Sequence, residues 1–250
     1  MPPERRGFLE EMVKLASSDG PAALCLQELP VWSLERLEEW SGMRAFGAVA
    51  ARPLLGSPRL GGAITELNHG LFRSAFTGQA NAILLARELR PLVSDSIVVN
   101  PRSLRRAAAR ELDLEPRVRL AWAKERRVCH AVRAEVDGRF LTFANTHCSS
   151  VPDRRCQDRE LMRAAVFADA FAEPGDVLVL AGDFNTVIGE STTLEQLTSP
   201  EWGFSEAIPW LDQVLVRGAK ASRPEPWPKE RRHIAGRLVS DHAPVETTIE

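Results

Sequence analysis

Residues 176–185 read DVLVLAGDFN, an apolar run of strand length that ends in a turn-forming polar cluster. The run over 176–181 shows no alternation of apolar and polar side chains after its first residue, which is typical of a strand buried on both faces. Glycine, aspartate and asparagine follow at once, and Asp and Asn commonly begin turns. The stretch therefore predicts a buried strand that delivers a carboxylate and an amide to the edge of a sheet.

The sequence on either side predicts further strands and helices. Asp137-Gly138 separates two β-prone runs, 127–136 and 139–146, which indicates a hairpin because both turn positions require a positive φ. A long helix over 153–171 follows and ends before Pro174-Gly175. The other predicted elements are helices over 8–16, 34–40 (with Ser33 as N-cap and Gly42 just past the end) and 104–111, and strands over 22–29, 82–86, 92–99, 214–216 and 244–249, with short strands near 62–66. No linker divides this mixed order, so we expect a single α/β domain over residues 1–250, built in two or four layers.

The composition is that of an ordinary globular chain. Of its 250 residues, 44% are hydrophobic and 26% are charged, which suffices for a large buried core. The longest apolar runs fall short of the roughly 18 residues that a membrane span needs, so we expect none. Residues 1–18 contain no apolar stretch of signal-peptide length and the cysteines form no C-x-x-C pair, so we expect a cytoplasmic protein with free thiols.

Charge is unevenly distributed along the chain. The totals of 32 Lys+Arg and 34 Asp+Glu give a net charge of −2. Residues 101–139 carry 11 basic and 6 acidic side chains, a net of +5, whereas residues 140–216 carry 4 and 12, a net of −8. A carboxylate-rich site that meets an anionic substrate fits this distribution, and so do solvated arginines on exposed helices.

Polar clusters stand at the ends of several predicted strands. They are Gln27-Glu28, Asn145-Thr146-His147, Gly182-Asp183-Phe184-Asn185 and Ser240-Asp241-His242, with Asp212 at the start of another apolar run. One such residue alone has an ordinary explanation as a turn former. Several together indicate a ligand site, because strand ends can converge on one rim and clustered carboxylates require a cation. Oxygen ligands favour Mg²⁺ or Mn²⁺, and imidazoles suit proton transfer or phosphate contact.

These motifs, in this order, resemble the endonuclease/exonuclease/phosphatase superfamily. The matching stretches are LQE (26–28), NAIL (81–84), NTH (145–147), GDFN (182–185), D-x-V-L-V (212–216) and SDH-x-P (240–244). The resemblance extends over most of the chain, and GDFN followed about sixty residues later by SDH is its most specific part. It implies a four-layer α/β/β/α sandwich of two mixed sheets, and a divalent-metal-dependent hydrolase of phosphate esters with Mg²⁺ or Mn²⁺ as its cofactor.

The resemblance also implies which residues hold the metal and activate water. Glu28 is the principal metal ligand, and Asp241 completes the metal shell directly or through water. Asp183 orients and deprotonates the attacking water, while Asn185 holds that water or a phosphate oxygen. Asp183 and Asn185 are expected as metal ligands as well.

The remaining positions are expected to contact the phosphate or the rest of the substrate. The resemblance implies that His242 contacts the scissile phosphate and that Asp212 fixes the tautomer of this imidazole. His147 is implied as a second donor to the non-bridging oxygens or as a group that assists the leaving group. We further expect substrate contacts from Asn81, Asn145, Arg126 and Arg127.

The sequence departs from the family at its start. The family normally begins with a strand ending in an Asn that contributes to the metal site, whereas this chain opens with the helix that should follow that strand. Either the sequence starts downstream of the true start, or the protein lacks the strand. Unpaired backbone groups on the neighbouring strands would cost roughly 1–3 kcal/mol for each buried group, which favours the first explanation.

Three functions remain open at this stage. A phosphodiesterase or nuclease that acts on DNA or another phosphate ester is the first, and it is expected to act as a monomer. A phosphomonoesterase or lipid-headgroup phosphodiesterase is the second. An inactive member that binds phosphorylated ligands is the third, and the full set of proton-transfer residues argues against it. If Arg102, Arg105, Arg106 and Arg110 border the site, a polyanion is favoured and activity should fall steeply with salt.

Overall fold

A computed structural model describes residues 4–53, 77–234, 236–238, 240 and 242–250. The short strands expected near 62–66 and the predicted metal ligand Asp241 therefore lie outside the described residues. The chain divides into two compact units, Met1–Arg90 with Trp227–Pro244, and Pro91–Pro226 with Val245–Glu250. We call them the first and second units. The expectation of a single domain stays a prediction.

The first unit holds a three-stranded antiparallel sheet. Its elements are helix α1 (Glu4–Ser17), strand β1 (Ala23–Leu29), a 3₁₀ turn (Val31–Arg36), helix α2 (Leu37–Ser41), strands β2 (Arg44–Ala51) and β3 (Gln79–Leu85), and the short pair β10 (His233–Ile234) and β11 (Arg237–Leu238). The sheet order is β1-β3-β2. Val13 of α1 and Leu37 of α2 are buried in one apolar cluster with Leu84 of β3, because both helices place an apolar side on the sheet.

The second unit holds a five-stranded mixed sheet. Its elements are β4 (Arg90–Val98, beginning at the unit boundary), α3 (Arg102–Glu111), α4 (Pro116–Ala123), β5 (Val128–Val136), β6 (Arg139–His147), α5 (Arg154–Phe171), β7 (Val177–Asp183), α6 (Thr192–Leu197), β8 (Asp212–Arg217), and the short pair β9 (Glu225–Pro226) and β12 (Val245–Glu246). The order is β4-β5-β6-β7-β8. β6 and β7 run parallel, and β8 runs antiparallel to β7. The predicted mixed α/β class with two main sheets is confirmed.

Helix α5 covers one face of this second sheet. Leu161, Ala164 and Ala168 of α5 share a buried cluster with Leu178 and Leu180 of β7. The alanines keep the helix close to the strands, and close packing of apolar side chains is the main source of folding free energy. Because side chains alternate along a strand, residues on β6 and β7 that do not face α5 lie on the opposite face. That opposite face carries the site described below.

Several local predictions are confirmed and others are wrong in detail. Asp137 and Gly138 have φ angles of 50° and 76°, as the predicted hairpin turn requires. Ser33 is not an N-cap: the segment begins as a 3₁₀ turn and the Ser33 hydroxyl donates to the Pro30 carbonyl. Helix α4 was not expected from the sequence. The strand expected over 244–249 is reduced to the β12 pair and one isolated bridge at Ile249.

Among the described residues, none of the helices combines the length and the apolarity needed to cross a lipid bilayer.

Candidate active site

Three predicted site residues lie side by side at one edge of the second sheet. His147 ends β6, Asp183 ends β7 and Asp212 begins β8, so the strand directions bring all three to the same edge. His147 is in register with Asp183, and Asp183 is in register with Asp212. Residues in register point to the same face of a sheet. A carboxylate oxygen of Asp183 lies within 4.8 Å of one of Asp212.

Gly182 makes this arrangement possible. Its φ is 139°, and a Cβ at this position would lie 1.8 Å from the Thr146 carbonyl oxygen. Only glycine therefore permits β7 to approach β6 closely just before Asp183. Asn185 follows with a φ of 51°, a left-handed conformation in which Asn is enriched. The glycine and the asparagine of GDFN thus shape the turn that presents the aspartate.

The carboxylate of Asp183 is held in a fixed orientation. Its Oδ1 accepts a hydrogen bond of 2.9 Å from the backbone N–H of Asn185, and its Oδ2 lies 3.4 Å from Nε2 of His147. The Asn185 side-chain N–H donates to the Cys148 carbonyl at 2.9 Å, and the Cys148 N–H donates to the Asp183 carbonyl at 2.8 Å. Asp183 and Asn185 are both buried. These bonds tie the ends of β6 and β7 together and fix the position of the carboxylate.

The tautomer of His147 follows from its second neighbour. Nη1 of Arg127 lies 2.9 Å from Nδ1 of His147. A guanidinium has donors only, so Nδ1 must accept and the ring proton sits on Nε2, which faces Asp183. The other terminal nitrogen of Arg127 forms an ion pair of 2.5 Å with Glu125. Arg127 and His147 are both buried.

A second buried carboxylate lies close to this edge. Glu160 of α5 is fully buried and accepts hydrogen bonds from Trp122 Nε1 (2.5 Å), from the Ser149 N–H (2.6 Å) and from the Ser149 hydroxyl (2.8 Å). Burial raises the pKa of Glu160, while the bonds from Ser149 and Trp122 oppose that rise. Sequence reasoning missed this residue because a glutamate in mid-helix is ordinarily a solvated one.

The other predicted residues of the second unit occupy different environments. Asn145 is buried on β6, two residues before His147 and therefore on the same face, in register with His130 and Ala181. Burial lowers the pKa of His130 to about 4, so this imidazole is neutral at physiological pH. Arg126 is exposed. The expected substrate contacts of Asn145, Arg126 and Arg127 stay predictions.

Three of the predicted site residues, Glu28, Asn81 and His242, belong to the first unit. Glu28 is exposed, with a φ of 56°, at the point where the register of β1 shifts between Leu26 and Leu29. Asn81 is buried on β3, in register with Ala48 of β2. His242 is exposed, and its backbone N–H donates to the Ser240 hydroxyl at 3.1 Å. The roles assigned to these residues stay predictions.

The donors at the edge of the second sheet suit a hard divalent cation. Asp183 and Asp212 offer carboxylate oxygens within 4.8 Å of one another, and Asn185 follows Asp183 by two residues. Mg²⁺ and Mn²⁺ prefer such oxygen ligands, and a cation also removes the repulsion between two neighbouring carboxylates. A carboxylate offers about four acceptor positions, so the hydrogen bonds to Asp183 are compatible with metal ligation.

Comparison with known proteins gives one family and several similar folds. The model of the endonuclease/exonuclease/phosphatase family matches residues 3–242. A humanized D. rerio TDP2 is 13% identical with a TM-score of 0.67, over 100% of this chain and 93% of that one. The human Nocturnin catalytic domain with bound sulfate is 16% identical with a TM-score of 0.65, over 99% and 86%. The mannosyl-6-phosphatase of Bacteroides thetaiotaomicron is 12% identical with a TM-score of 0.62, over 99% and 91%. At these identities the solved structures show the fold alone. A comparison with curated proteins found no match.

Proposed function

The chain belongs to the endonuclease/exonuclease/phosphatase family of phosphate ester hydrolases, and on this premise we propose that it hydrolyses phosphodiesters with the help of a divalent metal ion. The observation that supports the proposal most strongly is the row formed by His147, Asp183 and Asp212 at one sheet edge. Fixed charges and donors lower a barrier because they need not reorganise during the reaction.

Asp183 is the proposed base that orients and deprotonates the attacking water. Its Oδ1 is tied to the Asn185 N–H at 2.9 Å, so the carboxylate keeps one orientation. A positioned base typically contributes about 10²–10⁴-fold to a rate. The turn that carries Asp183 therefore also fixes the orientation of its carboxylate.

His147 is proposed to donate a hydrogen bond through Nε2. Because Nδ1 accepts from Arg127 at 2.9 Å, the Nε2 proton is available to a phosphate oxygen or to Asp183. Asn185 is proposed to bind the water or a non-bridging oxygen. These donors act on the equatorial oxygens of the phosphoryl group, where negative charge concentrates.

Mg²⁺ or Mn²⁺ is the proposed cofactor, and when bound it supplies positive charge to the phosphate oxygens. Asp183 and Asn185 are the proposed ligands from the second unit. The ligand roles of Glu28 and Asp241 and the phosphate contact of His242 are proposals carried by the family resemblance. Glu28→Gln, Asp241→Asn and His242→Ala test them one by one, and each is expected to abolish turnover while the fold is retained.

The experiment compares substrates and metals with the full-length protein. We expect hydrolysis of bis-p-nitrophenyl phosphate in Mg²⁺ or Mn²⁺ and none in excess EDTA. Asp169→Asn is the matched control for the site variants named above, because Asp169 is a half-exposed carboxylate paired with Arg217 away from the sheet edge. A folded wild-type protein that hydrolyses no phosphate ester in either metal would contradict the proposal and leave a phosphate-binding role.

A phosphomonoesterase is the second candidate. One of the similar folds is named a mannosyl-6-phosphatase. Rates on p-nitrophenyl phosphate and on its bis ester, measured side by side, separate the two activities. Plasmid DNA, inositol phosphates and phospholipid headgroups at two salt concentrations then define the substrate, because binding to a polyanion weakens steeply with salt.

A further inference from the structure

Arg127 is a buried arginine whose guanidinium joins two side chains. Nη1 donates to Nδ1 of His147 at 2.9 Å, and Nη2 donates to Glu125 at 2.5 Å. Its side chain is only 5% exposed. Burying a guanidinium is costly unless it is paired and hydrogen-bonded. A buried arginine such as Arg127 therefore serves either function or stability.

The backbone around Arg127 is fixed by a fully buried asparagine. Oδ1 of Asn100 accepts from the Arg127 N–H at 2.8 Å, and Nδ2 of Asn100 donates to the Glu125 carbonyl at 2.9 Å. The Arg127 carbonyl accepts from the Val99 N–H at 3.0 Å. The backbone of segment 125–127 is therefore held at both ends.

We propose that Arg127 is a positioning residue that holds His147 in the tautomer with its proton on Nε2. A carboxylate partner would accept a hydrogen bond from Nδ1–H and leave Nε2 as an acceptor. An arginine imposes the reverse, because it can only donate. His147 then presents an N–H, not a lone pair, at the sheet edge, so the proton of water goes to a carboxylate there, and Asp183 is the proposed base.

The tautomer of His147 does not depend on any activity, whereas the effect of Arg127 on turnover rests on the proposed function. If Arg127 acts through His147, its removal reduces turnover without weakening substrate binding. If Arg127 binds substrate directly, as the sequence predicts, its removal raises KM. The two roles therefore give different kinetics.

The first test is the ¹⁵N NMR spectrum of the five histidine rings in the wild-type protein at neutral pH. His147→Asn assigns the His147 signals by their loss. We expect a proton on Nε2 of His147 and an unprotonated Nδ1, which needs neither a variant of Arg127 nor catalysis. A proton on Nδ1 in the wild-type protein would overturn the proposal.

The second test removes the donor. In Arg127→Met we expect the His147 signals to show a mixture of tautomers. In Arg127→Lys we expect a return toward the wild-type signals, because the lysine ammonium can donate and cannot accept. Arg133→Met is the matched control, since Arg133 is another largely buried, ion-paired arginine, lies on β5, which begins just after Arg127, and contacts Asp176 instead. Unchanged His147 signals in a folded Arg127→Met would contradict the inference.

The third test is kinetic. We expect Arg127→Met to lower kcat roughly 10–100-fold with KM nearly unchanged, the loss typical when the partner that orients a histidine is removed. In the double variant with His147→Asn we expect no loss beyond that of His147→Asn alone. Additive losses with a raised KM would identify Arg127 as a substrate contact and overturn the inference. An inactive wild type with the expected NMR tautomer would defeat the proposed function only.

Discussion

An aspartate stands at each end of strand β7, and the two aspartates have different partners. Asp176, just before β7, accepts two hydrogen bonds from Arg133 (2.8 and 3.0 Å) and one from the Thr142 hydroxyl (2.8 Å). Asp183, at the other end, faces an imidazole and lies within 4.8 Å of the Asp212 carboxylate. We call these the Asp176 end and the Asp183 end.

The difference separates a cluster that stabilises the fold from a cluster that we propose to be reactive. At the Asp176 end, burial disfavours the charged carboxylate, but the bonds from Arg133 and Thr142 outweigh burial and lower the pKa of Asp176. At the Asp183 end the buried guanidinium of Arg127 contacts the imidazole of His147. Asp183 and Asp212 also place two carboxylates next to each other, an arrangement that costs stability and suits a cation.

The largest expected effect comes from the glycine that shapes the Asp183 end. Gly182→Ala places a Cβ 1.8 Å from the Thr146 carbonyl oxygen, so the backbone pairing of β6 and β7 must shift. We expect a loss of more than about 4 kcal/mol in the free energy of unfolding, measured by urea denaturation. Gly175→Ala, near the Asp176 end, is the control. Its φ is 93° with open space around it, so we expect a loss of about 1–2 kcal/mol. Equal losses in both variants would contradict the close approach at Gly182.

The next effect is on activity. Asp212→Asn removes one of the two neighbouring carboxylates at the Asp183 end, and we expect kcat/KM for bis-p-nitrophenyl phosphate to fall about 100-fold or more. Glu173→Gln is the control at the Asp176 end, where Glu173 pairs with Arg133 at 3.2 Å. It is expected to retain wild-type activity. A parallel loss in both variants would mean that the two ends are not functionally distinct.

The smallest effect is the response of stability to acid. Because the pKa of Asp176 is lowered on folding, its ionised form stabilises the protein above the ordinary carboxyl pKa. That contribution is lost as the pH falls from about 4 through the lowered pKa. We therefore expect Asp176→Asn to be less stable than wild type at neutral pH, with a smaller difference at an acidic pH below about 4. Urea unfolding at both pH values measures it, and a constant difference would argue against the shift.

The residues of the Asp183 end could largely be predicted from the sequence. His147, Asp183 and Asp212 each adjoin an apolar run, and strand ends of a mixed sheet meet at one edge once the strand directions are known. The Asp-Gly hairpin was equally predictable, because few residues accept positive φ at both turn positions. The local sequence was therefore enough to predict a turn that requires positive φ and the residues that stand at strand ends.

Contacts between distant residues could not be predicted in this way. The pairing of Arg127 with His147 depends on the register of β5 and β6 and on the Asn100 contacts that hold the preceding segment. The buried state of Glu160 depends on Trp122, 38 residues away. The Ser33 hydroxyl bonds to the Pro30 carbonyl because a 3₁₀ turn precedes α2, and serine readily makes such local bonds.

The most direct test of the account compares the two aspartates of β7 in one assay. Asp183→Asn and Asp176→Asn are each assayed on bis-p-nitrophenyl phosphate at saturating Mg²⁺, with folding checked by circular dichroism. The account predicts a loss of roughly 10²–10⁴-fold for Asp183→Asn and near-wild-type turnover for Asp176→Asn. Near-wild-type turnover by a folded Asp183→Asn protein would contradict the claim that this sheet edge carries the hydrolase activity.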